Sequence, residues 1–392
     1  MEKIVSVCFA FISLIFSFFL FTKPDIVNFF FYIDTISKVM FFTISAIFTM
    51  TVLYSIKYVK FIHEPLFHKN QYFLWLNLFA ISMFFSVVVN NLGLLWVGIE
   101  ATTITSALLV AIEGKPEEIE ATWRYIIIVS VGLILSLLGT IIIYGCTKTL
   151  LISEISKLPI YNNKLMVLGI LFTIIGFGTK AGIFPTHTWL PDVHGKAPSP
   201  VSAIFSGVLL PVALFGIIRV LNFSFSDKIY NFTFALGMLT VITASLLMTV
   251  QKYYKRLYAY SSMENMGIAL IGITLGKIGL LGAMIIIVTH AFCKSIVFYL
   301  TGNIYLKYHD KKIDGIKSLL NRMRYTGFLL FFAVLGVTGA PPFPTFLGEI
   351  LIFSQIISKY NLFFAIVLGI FIAVAFISVN YYTGKMLFSK EK

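Results

Sequence analysis

Twelve long apolar segments constrain the fold of this 392-residue chain more than any other feature. Only 12% of its residues are charged and 58% are hydrophobic, whereas about a quarter of the residues of a soluble protein are charged. Roughly 20 apolar residues are enough to cross a bilayer as one helix. The sequence therefore predicts an all-α polytopic membrane protein with about 12 transmembrane helices, at residues 4–21, 36–56, 71–89, 92–112, 123–144, 165–184, 200–220, 231–250, 259–276, 279–301, 325–358 and 362–384.

The sixth segment contains a lysine, Lys180, and ends in a cluster of prolines. Proline removes a backbone donor and crowds the preceding turn, so no continuous helix crosses here. The cluster and the titratable residues within it are Pro185, Pro191, Pro198, Pro200, His187, Asp192 and His194. Non-helical backbone at membrane depth persists only inside protein or beside a wet cavity. A lysine next to such a break indicates an ion pathway; the alternative is a lysine that snorkels to the interface.

The eleventh segment is interrupted in the same way, by Pro341, Pro342 and Pro344, with Glu349 just after the break. Two interrupted helices at corresponding places are typical of inverted repeats around a mid-membrane path. We therefore predict three parts of the chain. N-terminal transmembrane helices occupy residues 1–90, a core of two inverted repeats, each with a broken helix, occupies 91–384, and a short cytoplasmic tail occupies 385–392.

The net charge of +13 is concentrated in short loops. Lys and Arg are more than twice as frequent in the termini and even-numbered loops as in the odd-numbered loops. Since cytoplasmic loops carry the excess of basic residues, both termini are predicted to face the cytoplasm. This distribution favours contact with the lipid bilayer and gives no support to nucleic acid as a partner.

Four further titratable residues lie in apolar segments. Glu100 is the one charge in the fourth segment, and its alternative role is a protonated structural carboxyl. His290 and Lys294 are four residues apart and so share one helix face, which favours proton relay over isolated core side chains. Glu264 follows a basic loop, and its alternative role is a helix-end carboxyl paired with a nearby lysine.

The run TKAGIFPTHTWLPDVHGKAPSPVSAIFSGVLL, at residues 179–210, resembles the antiporter-like membrane subunits of respiratory complex I, membrane-bound [NiFe] hydrogenases and multisubunit cation/proton antiporters. Further matches extend the resemblance from about Asn90 to Tyr382. They are GLLWxxxE ending at Glu100, RLxAYSS at residues 256–262, and HAxxK ending at Lys294. The sequence SSxExxG around Glu264 makes the chain most similar to the F-type membrane component of hydrogenase-4.

The resemblance implies that Glu100 pairs with Lys180, and that a relay continues through His290 and Lys294 to Glu349. One position departs from the family pattern: many relatives have a lysine, a central proton carrier, where this chain has Pro211. Since proline cannot carry a proton, conduction either takes another route, through the His290/Lys294 face and Glu264, or is impaired.

We therefore predict a proton-translocating subunit of the inner (cytoplasmic) membrane, in a complex I-like enzyme of the membrane-bound hydrogenase type. The chain has no cysteine set for iron–sulfur clusters and no glycine-rich dinucleotide motif, so it is expected to bind no metal or cofactor. Fe–S clusters, Ni–Fe or flavin belong to partner subunits, membrane and peripheral. Two alternatives remain: a subunit of a stand-alone Na+/H+ antiporter, and a structural subunit that does not conduct.

Three predictions concern residues at the edges of the segments. Asp34 and Lys38 are at i and i+4, which predicts an ion pair between them. Arg219 ends the seventh segment and is predicted to be an interface anchor. The run Trp123-Arg124-Tyr125 is likewise predicted to anchor its helix at the membrane interface.

Overall fold

A computed structural model describes residues 2–62, 65–158, 163–223 and 226–389. Residues 390–392, the end of the predicted cytoplasmic tail, lie outside this described part. Helices dominate the described residues, and the two strands β1 (Ile26–Val27) and β2 (Tyr32–Ile33) form an antiparallel hairpin in which Ile26 faces Ile33.

The helices follow one another with short connections. In chain order they are α1 (Glu2–Phe21), α2 (Thr35–Tyr58), α3 (Lys69–Val88), α4 (Leu92–Val110), α5 (Pro116–Thr147), α6 (Ile152–Ile155), α7 (Lys164–Lys180), α8 (Trp189–Lys196), α9 (Ser199–Ile204), α10 (Leu210–Leu221), α11 (Asp227–Met248), α12 (Tyr254–Ile273), α13 (Gly276–Tyr308), α14 (Leu319–Arg322), α15 (Arg324–Val337), α16 (Pro344–Lys359) and α17 (Leu362–Phe388). A short π-helical segment, Phe205–Leu209, joins α9 to α10.

Each of the twelve predicted membrane segments contains helix, and the sixth and eleventh also contain the non-helical residues of the two breaks. Within the described residues, nine helices are long and apolar enough to cross a bilayer, counting α9, the π-helical segment and α10 as one. The remaining three segments correspond to α7, to α12, and to the pair α15 and α16. The predicted all-α polytopic membrane fold is confirmed.

Both predicted helix breaks are present and share their local geometry. The helix α7 ends at Lys180, and Gly182 follows with a φ of 74°. The helix α15 ends at Val337, and Gly339 follows with a φ of 71°. A cis X-Pro bond comes two residues after each glycine, at Phe184–Pro185 and at Pro341–Pro342. Only glycine adopts a positive φ at little cost, and in both breaks that glycine is the second residue after the helix end.

The chain forms two compact units. Unit 1 comprises Met1–Ala181 and Lys196–Asn231, and unit 2 comprises Gly182–Gly195 and Phe232–Lys392. The residues of the first break are therefore shared between the two units. Lys180 belongs to unit 1, and most of α8 belongs to unit 2. The boundary at residue 90 remains a prediction from the sequence.

The predicted ion pair between Asp34 and Lys38 is wrong. Lys38 pairs with Asp25 at 2.8 Å and also donates to the Lys23 carbonyl. Asp34 instead binds Arg219 through both carboxylate oxygens, at 2.6 and 2.9 Å. The predicted interface anchor at Arg219 is also wrong, because that side chain is buried. The i,i+4 spacing indicated a local pair, whereas the fold brings the end of α10 against the β1–β2 hairpin.

The Arg219 site stabilises unit 1. The guanidinium also donates to Ser37 Oγ at 2.7 Å and lies 4.4 Å from the Tyr32 ring centre. Burial by itself raises the pKa of the Asp34 carboxyl, but the hydrogen bonds and positive charge of Arg219 outweigh it and hold that pKa below its ordinary value. This contribution to stability is therefore complete at neutral pH and declines as the pH falls through the lowered pKa.

Asp34→Asn is expected to destabilise unit 1 strongly. Removing one partner of a buried pair leaves a buried charge uncompensated, at a cost of about 3–5 kcal/mol. The control is Glu120→Gln, because Glu120 pairs with Arg124 in unit 1 and both side chains are more than half exposed, where an ion pair contributes about 0–1 kcal/mol. Thermal melts of the purified variants in one detergent measure both effects. Equal melting temperatures for the two variants would contradict the assigned role of Arg219.

Candidate functional site

Close packing of α5 against α7 in unit 1 sets the position of Lys180. A Cβ at Gly132 would overlap Thr179, and a Cβ at Gly176 would overlap the Gly132 carbonyl and Ser136. Small residues allow two membrane helices to approach this closely. As a result, the side chain at the end of α7 reaches α4 and α5 in the interior of the unit.

The Lys180 ammonium is fully buried and binds two hydroxyls. Its Nζ donates to Thr103 Oγ1 at 2.8 Å and to Tyr125 Oη at 2.6 Å. It also lies 4.8 Å from the centre of the Tyr125 ring. The tyrosine hydroxyl in turn is 2.7 Å from Ser106 Oγ. The structure therefore rules out the alternative in which Lys180 snorkels to the interface.

Glu100 lies near Lys180 but does not form a direct ion pair with it. Among the described residues no carboxylate comes within 4.0 Å of the Lys180 ammonium, although the charge of Glu100 acts on it through space. One Glu100 oxygen accepts from Ser130 Oγ at 3.1 Å, and the other is buried with no hydrogen bond from the described part of the chain. Thr103 lies one turn after Glu100 on α4, and its hydroxyl is the group that contacts the lysine instead.

Tyr125 is the member of this site that the sequence did not reveal. It is fully buried, so its predicted role as an interfacial anchor is wrong, whereas Trp123 is 60% exposed. Two residues apart on a helix lie on nearly opposite sides, which is how one of them faces outward and the other faces Lys180. Only this periodicity distinguishes the two aromatic residues in the sequence.

Unit 2 contains a second buried lysine, Lys294 on α13. Its Nζ donates to the Tyr258 carbonyl at 2.7 Å and lies 5.7 Å from the centre of the Tyr258 ring. No carboxylate of the residues that the structure describes lies within 4.0 Å of this ammonium either, although the charge of Glu264 acts on it. Each unit thus holds a fully buried lysine beside a tyrosine, with a glutamate nearby but not bonded to it.

Two carboxylates accompany Lys294. Glu264 and Glu349 are both buried, and they are close enough for a negative charge on one to oppose a negative charge on the other. Glu349 follows the second break on α16, and its two carboxylate oxygens are so close to Gly339 that a Cβ on that residue would overlap them. The Gly282 and Gly348 backbones approach closely, which holds α16 against α13. The structure thereby brings three predicted site residues together in unit 2.

Three histidines of the predicted site are also buried, two from the broken-helix path and His290 from the relay. His194 is fully buried and stacks on Phe298 at 4.8 Å between ring centres, and the charge of Lys294 acts on it. His290 lies one turn before Lys294 on α13 and is fully buried too. His187 stacks on Phe184 beside the break.

Asp192, by contrast, reaches the surface of unit 2. It pairs with Arg256 at 3.4 Å, and both side chains are partly exposed. Pro185, Pro341 and Pro342 lie in the breaks themselves. Across the described residues, no three His, Cys, Asp or Glu side chains are grouped in a way that could hold a metal ion.

Sequence comparisons identify related proteins. The sequence model of a family described as "NADH:quinone oxidoreductase/Mrp antiporter, TM" matches residues 89–376. A hydrogenase-4 component F homolog from Methylacidiphilum infernorum is 32% identical over 90% of this chain and 78% of its own length. NADH-quinone oxidoreductase subunit M from Rickettsia conorii is 31% identical over 71% of this chain, which spans 57% of that protein.

Two solved structures have the same fold. A chain of an archaeal membrane-bound sulfane sulfur reductase superposes with a TM-score of 0.92 at 22% identity, covering 99% of this chain and 83% of that one. A chain of the Mrp complex from Dietzia sp. DQ12-45-1b gives a TM-score of 0.87 at 18% identity, covering 99% of this chain and 74% of that one. At these identities the likeness concerns the fold alone.

Proposed function

The chain belongs to the NADH:quinone oxidoreductase/Mrp antiporter family of membrane subunits, and from that premise we propose that it translocates protons through buried charges. The resemblance seen in the sequence is thereby confirmed at the level of the family. The observation that carries the proposal is the pair of fully buried lysines, Lys180 and Lys294, neither of which is bonded to a carboxylate of the described residues.

This arrangement differs from that of a structural charge in the same protein. Arg219 is held by a carboxylate at 2.6 Å and cannot change its charge without losing that pair. Lys180 and Lys294 instead bind neutral oxygens, so the loss of a proton breaks no ion pair. The charge of a nearby carboxylate then biases each lysine through space, and a change in that charge changes its proton affinity.

In the proposed mechanism each unit holds its own proton carriers. In unit 1, Glu100 biases Lys180, which alternately holds and releases a proton. In unit 2, His290 and Lys294 exchange protons, Glu264 biases them, and Glu349 is the terminal carboxyl. His187, Asp192 and His194 belong to the path at the first break. The driving force is redox chemistry on partner subunits, which carry the Fe–S, Ni–Fe or flavin centres.

The partner complex is proposed to be a membrane-bound hydrogenase or a related complex I-like enzyme of the inner membrane, with both termini of this chain in the cytoplasm. The similarity to a hydrogenase-4 component F homolog from Methylacidiphilum supports this assignment. Affinity purification of the tagged chain in mild detergent, followed by mass spectrometry, tests it. Co-purifying hydrogenase or quinone oxidoreductase subunits are expected. Co-purification of small antiporter subunits alone would instead favour a stand-alone cation/proton antiporter.

Pro211→Lys is expected to leave proton flux unchanged or to lower it. Pro211 lies in a span that is buried throughout, Ser199–Leu221. A new ammonium there would lose its hydration, and it would not belong to the existing set of buried charges. Proton uptake by proteoliposomes that contain the purified complex measures the effect. A higher flux in Pro211→Lys than in wild type, together with no change of flux in Lys294→Ala, would show that the path had been lost and would favour a structural subunit.

A further inference from the structure

A chain of hydroxyl groups leads away from Lys180 inside unit 1. The Lys180 ammonium contacts Tyr125 Oη at 2.6 Å, and Tyr125 Oη contacts Ser106 Oγ at 2.7 Å. Ser106 Oγ is also 3.2 Å from the Thr103 carbonyl oxygen. The lysine, the tyrosine and the serine are all fully buried. These contacts form a continuous hydrogen-bonded line from α7 through α5 to α4.

The chemistry of the groups fixes the direction of the first of these hydrogen bonds and permits one direction for the other two. A lysine ammonium has donors only, so Tyr125 Oη accepts from it. The tyrosine proton is then free to point at Ser106 Oγ, and the serine proton at the Thr103 carbonyl. In this orientation each hydroxyl accepts from the side of Lys180 and donates to the next oxygen of the line. This is the arrangement that proton hopping requires.

The far end of the line lies toward the loop between α4 and α5. Ser106 follows Glu100 by six residues along α4, in the direction of that loop. On α5, Glu118 precedes Tyr125 by seven residues, two turns of helix, and therefore lies on the same face. The side chain of Glu118 is 2% exposed, and Lys115 lies 3.8 Å from it. A buried carboxylate thus lies near the N-terminus of α5, at the loop end of the face that carries Tyr125.

We propose that the hydroxyls of Tyr125 and Ser106 relay protons between Lys180 and water at the α4–α5 loop end of unit 1. When Lys180 releases a proton, an Nζ–H bond breaks and a new O–H bond forms on Tyr125. The tyrosine's original proton passes to Ser106, whose own proton turns from the Thr103 carbonyl and passes to a water molecule. Both hydroxyls end neutral, and the reverse sequence reloads the lysine. This inference rests on the proposed proton translocation.

Four single substitutions in the assembled complex test the relay. Tyr125→Phe and Ser106→Ala each remove one hydroxyl of the line and are expected to lower proton flux about 100-fold, the scale at which a positioned proton-transfer group contributes. The matched controls are Tyr72→Phe and Ser55→Ala. Tyr72 Oη and Ser55 Oγ form the same buried pair in unit 1, at 2.9 Å, between α2 and α3. Both controls are expected to keep wild-type flux.

Ser106→Ala separates relay from positioning, because Lys180 donates its hydrogen bonds to Thr103 and Tyr125 and not to Ser106. The double variant Tyr125→Phe/Ser106→Ala should lose no more flux than either single variant, since the two groups act in series. Normal flux in Ser106→Ala, or an equal loss in the Tyr72 and Ser55 controls, would overturn the relay. Absence of flux in the wild-type complex would refute the proposed function itself, so the two failures are distinct.

Discussion

Lys180→Met is expected to remove most of the proton transport of the assembled complex while leaving assembly intact. Methionine has a similar length and is apolar, so it fills the same buried space beside Tyr125 without a charge or a transferable proton. The hydrogen bonds lost are those to Thr103 and Tyr125, and no carboxylate of the described residues loses a direct ion-pair partner. Proton flux should fall about 100-fold or more, as expected when a positioned proton carrier is lost.

Lys196→Met is the matched control for this prediction. Lys196 ends α8, its side chain is 37% exposed, and it pairs with Glu117 at the surface of unit 1. An exposed ion pair of this kind contributes about 0–1 kcal/mol, so flux and assembly should both stay close to wild type. If Lys180→Met conducted as well as Lys196→Met, the assignment of Lys180 as a proton carrier would be wrong.

Gly339→Ala is expected to have the second-largest effect, because it displaces the Glu349 carboxylate. An alanine Cβ at this position would overlap both carboxylate oxygens of Glu349. Alanine would also be strained at a φ of 71°, at a cost of about 1–3 kcal/mol. We expect the strain to lower the melting temperature and the displaced carboxylate to lower flux at least about 10-fold.

The control Gly276→Ala separates the effect of displacing the Glu349 carboxylate from the effect of backbone strain. Gly276 has a φ of 78°, so alanine is strained there in the same way, yet a Cβ at this position meets no atom of the described residues within 4 Å. Both variants should melt at a lower temperature, and only Gly339→Ala should lose flux. Parallel losses of flux would mean that strain alone explains them, and that the position of Glu349 does not matter for transport.

The breaks and the buried charges could be predicted from the sequence because their causes are local. Proline in a helix interior removes a backbone donor and clashes with the preceding turn, so the ends of α7 and α15 followed from the prolines after Lys180 and Val337. A lysine in an apolar segment must likewise have partners wherever it is buried. These arguments need no knowledge of how distant segments pack.

The partners of the charges could not be predicted, because they depend on packing between helices. Asp34 and Arg219 are 185 residues apart in sequence, and the i,i+4 spacing to Lys38 indicated a closer partner. The expected Glu100–Lys180 contact is replaced by hydroxyls of Thr103 and Tyr125, since those groups lie nearer to the ammonium. No pattern in the sequence distinguishes a direct ion pair from one separated by hydroxyls.

Proton movement during turnover of the purified wild-type complex in sealed proteoliposomes is the most direct test of this account. A pH-sensitive dye trapped inside the vesicles reports the movement while the partner subunits oxidise their electron donor. We predict a change in internal pH that begins with turnover, disappears with a protonophore, and is absent in Lys180→Met complexes that still turn over. Sustained turnover in sealed wild-type vesicles with no change in internal pH would contradict proton translocation by this chain.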